Sequence, residues 1–356
     1  MVRSLLHGKR VLITGGTGSL GKVLTSRILT GEIGKPKKVT IFSRDEAKQH
    51  EMRMAYQHRR VATDEVIYHN FDELLEFRIG DVRDLHSVAS ALRHTDIVFN
   101  AAALKQVPAC EYFPFEAVRT NIEGAENIVR AISELNLQVD TVVGISTDKA
   151  CKPVNVMGMS KAIQERILIS ANLTCPSTRF ICVRYGNVLA SRGSVIPLFL
   201  DQIRHGGPVT ITSKEMTRFL LSLNQAVDVI FTAVRSAKAG ETYVPRVPSA
   251  RVIDIAKALI GGKSVETKIV GVRPGEKTHE ILVSEEECHR CLLQEEYYVI
   301  APILPEIDTD HRTKKTLSNE YSSEDHPLSV QETRQLLMKH KLLLEEDNGG
   351  LGELLR

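Results

Sequence analysis

The residue types best suited to proton chemistry lie together in residues 145–161, which read ISTDKACKPVNVMGMSK. An apolar run, 141–145, leads directly into Ser-Thr-Asp-Lys at 146–149, the pattern of a strand that ends in polar side chains. In open parallel α/β sheets, ligands sit at the carboxyl ends of the strands. Two hydroxyls, a carboxylate and an ammonium group at such an end could bind a polar ligand and exchange protons with it.

A helix is expected to follow this segment, with Asn155 as its N-cap. Met157 and Lys161 would then lie one turn apart on one face of the helix, about 6 Å along its axis. The second ammonium group would therefore point toward the same pocket as residues 146–149. A solvated loop before an ordinary helix is the alternative, and the rest of the chain argues against it.

A glycine-rich turn with the spacing GxxGxxG follows the short apolar strand 11–13 and precedes a helix over 22–30. Glycine permits a tight turn and a close approach of the backbone to a pyrophosphate, whose charge is favoured at a helix N-terminus. We therefore predict dinucleotide binding at this turn. The candidate contacts are Gly15, Thr17, Gly18, Ser19, Leu20 and Gly21.

The residues after the second strand, 39–42, bear on which dinucleotide is bound. Many NAD sites place an acidic residue there to hold the ribose hydroxyls. Here Ser43 and Arg44 come first, and a guanidinium group suits a 2′-phosphate. NADP is therefore favoured, while Asp45 keeps NAD as the alternative.

Further cofactor contacts are expected after the third and fourth strands. Strand 75–79 ends in Gly-Asp-Val, whose carboxylate could accept a hydrogen bond from adenine, and strand 97–99 meets small residues that let the chain pass close to a cofactor. Asn121 should be buried and need a partner for its amide. Lys105 is either a ligand or an ordinary surface lysine. The candidates are Asp81, Val82, Ala101, Ala102, Ala103, Lys105 and Asn121.

Strands and helices alternate to about residue 190, which predicts an α/β fold with a doubly wound, Rossmann-like parallel sheet. We expect a dinucleotide-binding domain over 1–190, a smaller, discontinuous α/β domain over 191–340 and a frayed tail over 341–356. Residues 305–326 are polar and predict a surface loop. Ser329 and Glu332 predict a capping box at the start of a final helix, 331–340.

The composition is that of a globular domain, with 42% hydrophobic and 25% charged residues in a chain of 356. The net charge of +2 gives no reason to expect a nucleic acid or membrane partner. No apolar run approaches the roughly 20 residues of a membrane span, and the N-terminus lacks a signal-peptide core, so we expect a cytoplasmic protein. The six cysteines predict reduced structural thiols; Cys288 and Cys291 have CxxC spacing without a second pair, so no metal site is predicted.

Taken together, these motifs resemble the extended short-chain dehydrogenase/reductase superfamily, in its nucleotide-sugar-modifying branch. FSRDE, the Asp148-Lys149 pair and RPGEKTHE are similar to the UDP-N-acetylglucosamine 4,6-dehydratases, and more narrowly to the inverting, 5-epimerising kind. The motifs that carry the resemblance, in chain order, are TGGTGSLG (14–21), FSRDE (42–46), GDV (80–82), NAAA (100–103), STDKA (146–150), RYGNV (184–188), SRGSVIPLF (191–199), TRF (217–219) and RPGEKTHE (273–280).

One departure from the superfamily concerns its Tyr-x-x-x-Lys pair. Met157 stands at the tyrosine position while Lys161 is intact, and a thioether cannot accept a proton at neutral pH. A subset of the inverting dehydratases also carries methionine there, so Met157 narrows the resemblance to that subset. The residue that would take the proton of the carbon-4 hydroxyl is not identified by the sequence.

The resemblance implies a redox cycle without net redox change, in which a hydride leaves carbon 4 of the sugar and returns to carbon 6. Asp148 would protonate the departing carbon-6 hydroxyl, and Lys149 would take the carbon-5 proton. For that, the pKa of Lys149 must fall, and we expect Lys161 together with bound cofactor to lower it. Thr147 would hydrogen-bond the carbon-4 oxygen. Lys161 would hold the nicotinamide ribose, and Met157 would pack against the substrate or the nicotinamide.

The resemblance also implies contacts to UDP-N-acetylglucosamine or a related UDP-sugar. The backbone of 208–212 could hold the uracil, and Arg218 and Arg273 suit the diphosphate. Tyr185 is implied as a cofactor contact. A homo-oligomer, such as a hexamer, is implied as well. The substrate candidates are Lys105, Asn187, Val195, Thr210, Arg218, Arg273 and Glu276.

Two alternatives remain at this point. A nucleotide-sugar 4-epimerase would need a tyrosine-type base and no acid–base pair for dehydration, so Met157 and Lys149 argue against it. A catalytically silent NADP-binding sensor or scaffold is suggested by Met157 alone.

Overall fold

The computed structural model describes residues 4–59, 71–189, 194–308 and 316–343. Its strands are β1 Arg10–Thr14, β2 Lys38–Ser43, β3 Leu75–Ile79, β4 Ile97–Asn100, β5 Thr141–Ile145, β6 Arg179–Val183, β7 Val209–Ile211, β8 Thr217–Phe219, β9 Thr242–Pro245, β10 Ser249–Arg251, β11 Thr267–Ile269, β12 Ile281–Val283, β13 Cys291–Gln294, β14 Tyr297–Ile300 and β15 Tyr321–Ser322.

The helices alternate with these strands along the first half of the chain. They are α1 Ser19–Leu29, α2 Glu46–Arg59, α3 Phe71–Leu74, α4 Leu85–Leu92, α5 Val107–Tyr112, α6 Pro114–Ala117, α7 Gly124–Glu134, α8 Val156–Thr174, α9 Val195–Arg204, α10 Leu223–Ser236, α11 Val252–Ile260, α12 Glu285–Cys288 and α13 Val330–Lys339. A π-helical turn, Val118–Glu123, joins α6 to α7, and a 3₁₀ turn, Asp148–Ala150, follows β5.

The central sheet has the strand order β13-β14-β9-β6-β5-β4-β1-β2-β3. The seven strands from β9 to β3 are parallel, whereas β14 and β13 add to the β9 edge in antiparallel fashion. The prediction of a doubly wound, Rossmann-like parallel sheet is thus confirmed. The strand order reverses between β1 and β4, which is where sheets of this kind bind ligands.

Both faces of the sheet are covered by helices, which explains why its central strands are almost wholly apolar. Leu24 of α1 and Ile230 of α10 pack on one face, within a cluster that also contains Ile13 and Val143. Ile128 of α7 and Leu168 of α8 pack on the other face. β5 is buried along its whole length, so the polar residues after it lie at a fixed edge of the core.

A separate apolar cluster is formed by the later part of the chain, where Leu200 of α9, Leu259 of α11 and Leu337 of α13 pack together. The last of these helices begins at the predicted capping box of Ser329 and Glu332. Residues 344–356, which include most of the predicted tail, and residues 190–193 of the SRGSVIPLF motif lie outside the described residues.

The predicted surface loop over 305–326 is wrong in its last part. Tyr321–Ser322 forms a strand paired antiparallel with β12, and the following Ser323 is fully buried. Ser323 is buried because its N–H donates to the Glu280 carbonyl and its hydroxyl accepts from the Glu280 N–H. Residues 309–315 of this segment lie outside the described part of the chain.

Within the described residues, no helix combines the length and the apolar character needed to cross a bilayer.

Candidate active site

The 146–149 segment turns sharply at the end of β5. The Asp148 N–H donates to the Tyr185 carbonyl at 3.1 Å, and the Thr147 hydroxyl caps the 3₁₀ turn by accepting from the Lys149 N–H. Helix α8 begins at Asn155, whose side chain accepts from the Gly158 N–H at 2.7 Å, so the predicted N-cap is confirmed. The β5 end and the start of α8 are therefore held against each other.

A buried ion cluster lies at this turn. The Lys149 ammonium is 3.0 Å from Oδ1 of Asp148 and 3.0 Å from Oε1 of Glu280. Arg218 approaches the same Glu280 oxygen to 3.9 Å. The exposed fractions of Asp148 and Glu280 are 0% and 1%, and neither Oδ2 of Asp148 nor Oε2 of Glu280 has a hydrogen-bond partner among the described residues.

Glu280 was not among the predicted site residues, although the RPGEKTHE motif ends on it. The missed signal is an acidic residue directly before the apolar strand Ile281–Val283, where it must be buried and therefore paired. Arg218 was predicted to bind the substrate diphosphate. In this structure it donates to the Thr217 and Thr278 carbonyls, at 2.7 and 3.1 Å, and faces Glu280.

The two carboxyl groups of the cluster differ in their tendency to hold a proton. Burial raises the pKa of Asp148, and the nearby charge of Glu280 adds to this in spite of Lys149. Burial also opposes ionisation of Glu280, but Lys149 and Arg218 outweigh it and lower the pKa of that carboxyl. Of the two carboxyl groups, Asp148 therefore holds a proton more readily than Glu280.

The expectation that Lys161 would lower the pKa of Lys149 is wrong for this structure. Burial does lower that pKa, but the charges of Asp148 and Glu280 together outweigh burial and raise it. Lys161 instead lies inside the protein, where its ammonium donates to Oε1 of Gln164 at 2.7 Å. Burial lowers the pKa of Lys161 to about 8.

Thr147 and Met157 complete the predicted catalytic set. The Thr147 hydroxyl donates to Oδ1 of Asp148 at 2.8 Å, so it orients the carboxyl group. Met157 is buried at the start of α8 and packs with Cys110 and Ala117. The Met157 side chain thus belongs to an apolar cluster.

The glycine turn has the close approaches that a dinucleotide cradle requires. Gly15 has φ of +64°, and a Cβ on it would lie 2.8 Å from the Ala102 backbone. A Cβ on Gly21 would lie 2.4 Å from the Gly16 carbonyl oxygen. Gly18 caps α1 without a side-chain hydrogen bond, which leaves the first N–H groups of the helix for an anion.

The remaining turn residues frame this cradle. Thr17 is buried, Ser19 is half-buried, and Leu20 packs against the core. The Ala101 and Ala102 N–H groups donate to the carbonyl and the hydroxyl of Thr14, which brings the alanine run of 101–103 beside the glycine turn.

Of the residues after β2, Ser43 and Asp45 form hydrogen bonds within the protein, whereas Arg44 is accessible to a ligand. Oδ1 of Asp45 accepts from the Lys48 N–H at 3.0 Å, so this carboxylate holds the start of α2. Ser43 accepts from Gln49 at 3.0 Å. The Arg44 guanidinium is half exposed and lies 3.8 Å from Asp81, which leaves it accessible to a ligand.

Of the other cofactor candidates, Asp81, Val82 and Asn121 form hydrogen bonds within the protein. Asp81 accepts from Arg83 at 2.7 and 2.9 Å, and the Val82 carbonyl accepts from Asn127. Asn121 is buried, as predicted, and its amide bonds both the N–H and the carbonyl of Leu104. Tyr185 is buried, Ala103 and Lys105 are exposed.

Five of the substrate candidates make no contact with the ion cluster among the hydrogen bonds and ion pairs of the described residues. Thr210 on β7 accepts from the Gln202 amide at 2.8 Å, and Val195 is the first residue of α9. Oδ1 of Asn187 and Oε2 of Glu276 are buried without a hydrogen-bond partner among the described residues. Arg273 is exposed.

A sequence family described as "Polysaccharide biosynthesis protein" matches residues 11–302 of the chain. The chain belongs to this polysaccharide biosynthesis protein family. A protein of Rickettsia conorii named "UDP-glucose 4-epimerase" is 41% identical over 95% of this chain and 98% of its own length.

Two solved structures are similar in fold to this family member. Pen from Bacillus thuringiensis is 34% identical, with a TM-score of 0.84 over 95% of this chain and 99% of that one. DesIV, a dTDP-glucose 4,6-dehydratase from Streptomyces venezuelae solved with NAD and TYD bound, reaches a TM-score of 0.63 at 18% identity over 93% and 98% of the two chains. The latter likeness shows a shared fold alone.

A second buried ion network lies next to the end of β5 in this family member. Arg184 lies between Glu165 on α8 and Glu287 on α12, at 2.6 and 2.7 Å. Glu165 also accepts from the Ser146 hydroxyl at the end of β5. Arg184 outweighs the effect of burial and lowers the pKa of Glu287 to about 2. The network ties the end of β5 to α8 and α12.

The cysteines give no sign of a metal centre in this family member. Cys288 ends α12, Cys291 begins β13, and both are buried. Across the residues that the structure describes, no group of three or more His, Cys, Asp or Glu side chains is arranged to hold a metal ion.

Proposed function

We propose that this protein catalyses the NADP-dependent 4,6-dehydration of UDP-N-acetylglucosamine with inversion at carbon 5, giving a UDP-linked 4-keto-6-deoxy sugar. The observation that carries the proposal is the buried contact between Asp148, Lys149 and Glu280 at the end of β5. Dehydration across carbons 5 and 6 needs one group to donate a proton and another to remove one. This cluster supplies both.

The turn at Gly15 and Gly18 fits a dinucleotide, because a Cβ on Gly15 would collide with the Ala102 backbone and one on Gly18 would lie 3.3 Å from the Gly15 carbonyl oxygen, so that only glycine lets the turn close at the start of α1. NADP bound there would supply the acceptor and later donor of the hydride. The residues of the chain then have to handle protons only. Lys161, with a pKa lowered to about 8 by burial, is suited to hold the nicotinamide ribose and to place positive charge near an oxyanion.

The acid and the base can arise from the resting ion pair by one proton transfer. The resting pair is a carboxylate and an ammonium group. Moving one proton from Lys149 to Asp148 gives a carboxylic acid and a neutral amine, and the total number of protons stays the same. Burial favours the neutral form of both groups, whereas the charges of Asp148 and Glu280 keep Lys149 as an ammonium group in the resting protein. The proton has to cross a contact of only 3.0 Å to reach Asp148. Lys149 can then remove the carbon-5 proton while Asp148 protonates the departing carbon-6 hydroxyl.

A UDP-sugar 4-epimerase is the second candidate, and the names of the Rickettsia relatives favour it. Epimerisation at carbon 4 removes a hydride and returns it to the same carbon, with one group to take the hydroxyl proton. Met157 cannot do so, and the acid–base pair would have no step to perform. Proton NMR of the protein with UDP-N-acetylglucosamine in deuterated water distinguishes the two.

A 6-methyl signal, deuterium at carbon 5 and the coupling constants of the inverted ring are the expected results of that experiment. UDP-N-acetylgalactosamine as the product would replace the proposal by the epimerase. An unchanged substrate, with bound NADP confirmed by absorbance, would refute dehydration of this sugar and favour a silent binding protein. A panel of other UDP-sugars would follow.

Replacing Met157 by leucine is expected to change turnover less than about tenfold. A volume-conserving apolar swap costs under about 1.5 kcal/mol, and the Met157 side chain already packs against Cys110 and Ala117. The measurement is kcat for keto-sugar formation, with thermal denaturation to show that the fold is intact. A loss of several orders of magnitude in a folded variant would mean that the thioether contributes to the chemistry.

Replacing Arg44 by alanine is expected to weaken NADP binding by about 10- to 100-fold and to leave NAD binding almost unchanged. A charge-assisted hydrogen bond to a 2′-phosphate accounts for that difference, and Asp45 is occupied at the start of α2. Calorimetric titration of both cofactors measures it. Lys38→Ala, at an exposed pair with Glu76 on the same edge of the sheet, is the control. Equal weakening of both cofactors would remove Arg44 from the discrimination.

A further inference from the structure

We propose that Glu280 is a positioning residue for the reaction: it holds the Lys149 ammonium against Asp148 and supplies the fixed negative charge that sets how many protons this pair carries. The inference rests on the proposed function, and it assigns a role to a carboxylate outside the STDKA motif (146–150). Glu280 is separated from that motif by most of the later chain and reaches it only through folding.

The backbone of Glu280 is fixed before its side chain contacts the site. Its N–H donates to the Ser323 hydroxyl at 2.9 Å, and its carbonyl accepts from the Ser323 N–H at 2.8 Å. The same Ser323 hydroxyl is 2.7 Å from the hydroxyl of Thr217. The backbone that carries the Glu280 carboxylate is thus held by two hydrogen bonds to Ser323, with its side chain at the end of β5.

The charged groups around Glu280 come from every side of the cluster. Lys149 faces it from the 3₁₀ turn and Arg218 from β8, and Lys277 acts on it from its own loop. Asp148 is the second carboxylate within this group. The neighbouring His279 is turned away, since its ring nitrogens lie 2.8 Å from the Thr217 hydroxyl and 3.8 Å from Glu324. Glu280 therefore faces three cations, which together lower its pKa and favour its ionised form.

A fixed negative charge at this position favours the protonated form of both partners. It raises the pKa of Asp148 and, through the 3.0 Å ion pair, the pKa of Lys149. Asp148 and Lys149 together can carry two, one or no titratable protons, and the proposed reaction needs the state with one. The pH optimum of the reaction is therefore bounded on both sides by groups that Glu280 influences in the same direction.

Replacing Glu280 by glutamine tests the proposal through the pH dependence of kcat/KM. Both limbs of the bell-shaped profile are expected to move to lower pH, by about 1 to 3 units each. Glu280→Asp keeps the charge and is expected to leave the limbs near their wild-type positions, even if the rate falls. Glu320→Gln removes a carboxylate that pairs with Lys152 near the surface at 2.6 Å, and it should leave the profile unchanged. A folded Glu280→Gln variant with a lower rate and unmoved limbs would overturn the proposal.

A titration that needs no substrate separates this proposal from the proposed function. With ¹³C in the aspartate carboxyl groups, the Asp148 resonance is assigned by its loss in Asp148→Asn. Its pKa is expected to fall in Glu280→Gln and to be retained in Glu280→Asp. An unchanged Asp148 titration would refute the role of Glu280, whereas a wild-type protein that forms no keto sugar would refute the dehydratase alone.

Discussion

Replacing Lys149 by arginine is expected to lower the rate of dehydration by about 10²- to 10⁴-fold, the usual contribution of a general base, while the protein remains folded. Arginine keeps the positive charge between Asp148 and Glu280, so neither buried carboxylate loses its counter-ion. Its guanidinium group stays protonated in proteins and cannot remove the carbon-5 proton. The arginine variant therefore separates the charge of the side chain from its basicity.

Lys149→Ala should be at least as inactive, with NADP binding nearly intact, but it also leaves two carboxylates without their cation. The measurements are single-turnover formation of the keto sugar and exchange of the carbon-5 proton for deuterium. Lys152→Ala is the matched control, because this lysine lies on the same loop and pairs near the surface with Glu320. Substantial proton exchange in the arginine variant would show that another group is the base at carbon 5.

Replacing Arg184 by methionine is expected to destabilise the protein by about 3–5 kcal/mol, the range found when one partner of a buried ion pair is removed. Arg184 is the cation between Glu165 and Glu287, and all three are buried. Methionine fills a similar volume but leaves two carboxylates to share a low-dielectric site. Urea denaturation followed by circular dichroism measures the free energy of unfolding.

The destabilisation should depend on pH with a definite sign. The pKa of Glu287 is lowered from 4.5 to about 2, so its ionised form contributes stability that is complete above pH 4.5 and is lost as the pH falls toward 2. The difference between wild type and Arg184→Met should therefore be largest near neutral pH and shrink below about pH 4.5.

The control for this variant is Arg130→Met, at an exposed helical pair with Glu134, where the expected loss is under about 1 kcal/mol. Equal stability of the two variants at pH 7 would contradict the role of the buried network. Replacement of Arg184 and both carboxylates together by apolar residues should recover much of the lost stability.

Local signals were sufficient to predict most of the elements that frame the site. The apolar strand and glycine spacing around Gly15 indicate a strand, a turn and a helix within a few residues, and the structure has them. Asn155 and Ser329 cap helices as predicted, because an N-cap depends only on residues within one turn. The alternation of strands and helices was enough for the parallel sheet, since each crossover is itself a local unit.

The ion cluster could not be completed from the sequence, because its members are brought together by folding. Glu280 reaches Lys149 only through the pairing of β12 with β15, and β15 lies in a polar stretch that resembles a loop. The pKa of Lys149 was mispredicted for the same reason. It depends on which charges lie within a few ångströms in space, and the sequence suggested Lys161 where the structure places Glu280.

The attachment of Glu280 to Ser323 has a consequence for how the protein matures. Contacts between distant segments cost loop-closure entropy and tend to form late, whereas the glycine turn and α1 are formed by neighbouring residues. A chain in which Tyr321–Ser323 has not yet docked would have the dinucleotide cradle in place beside an incomplete proton-transfer set. Under the proposed function, such a chain would bind a dinucleotide before it could carry out the proton transfers, so that docking of Tyr321–Ser323 would be the step that completes the active site.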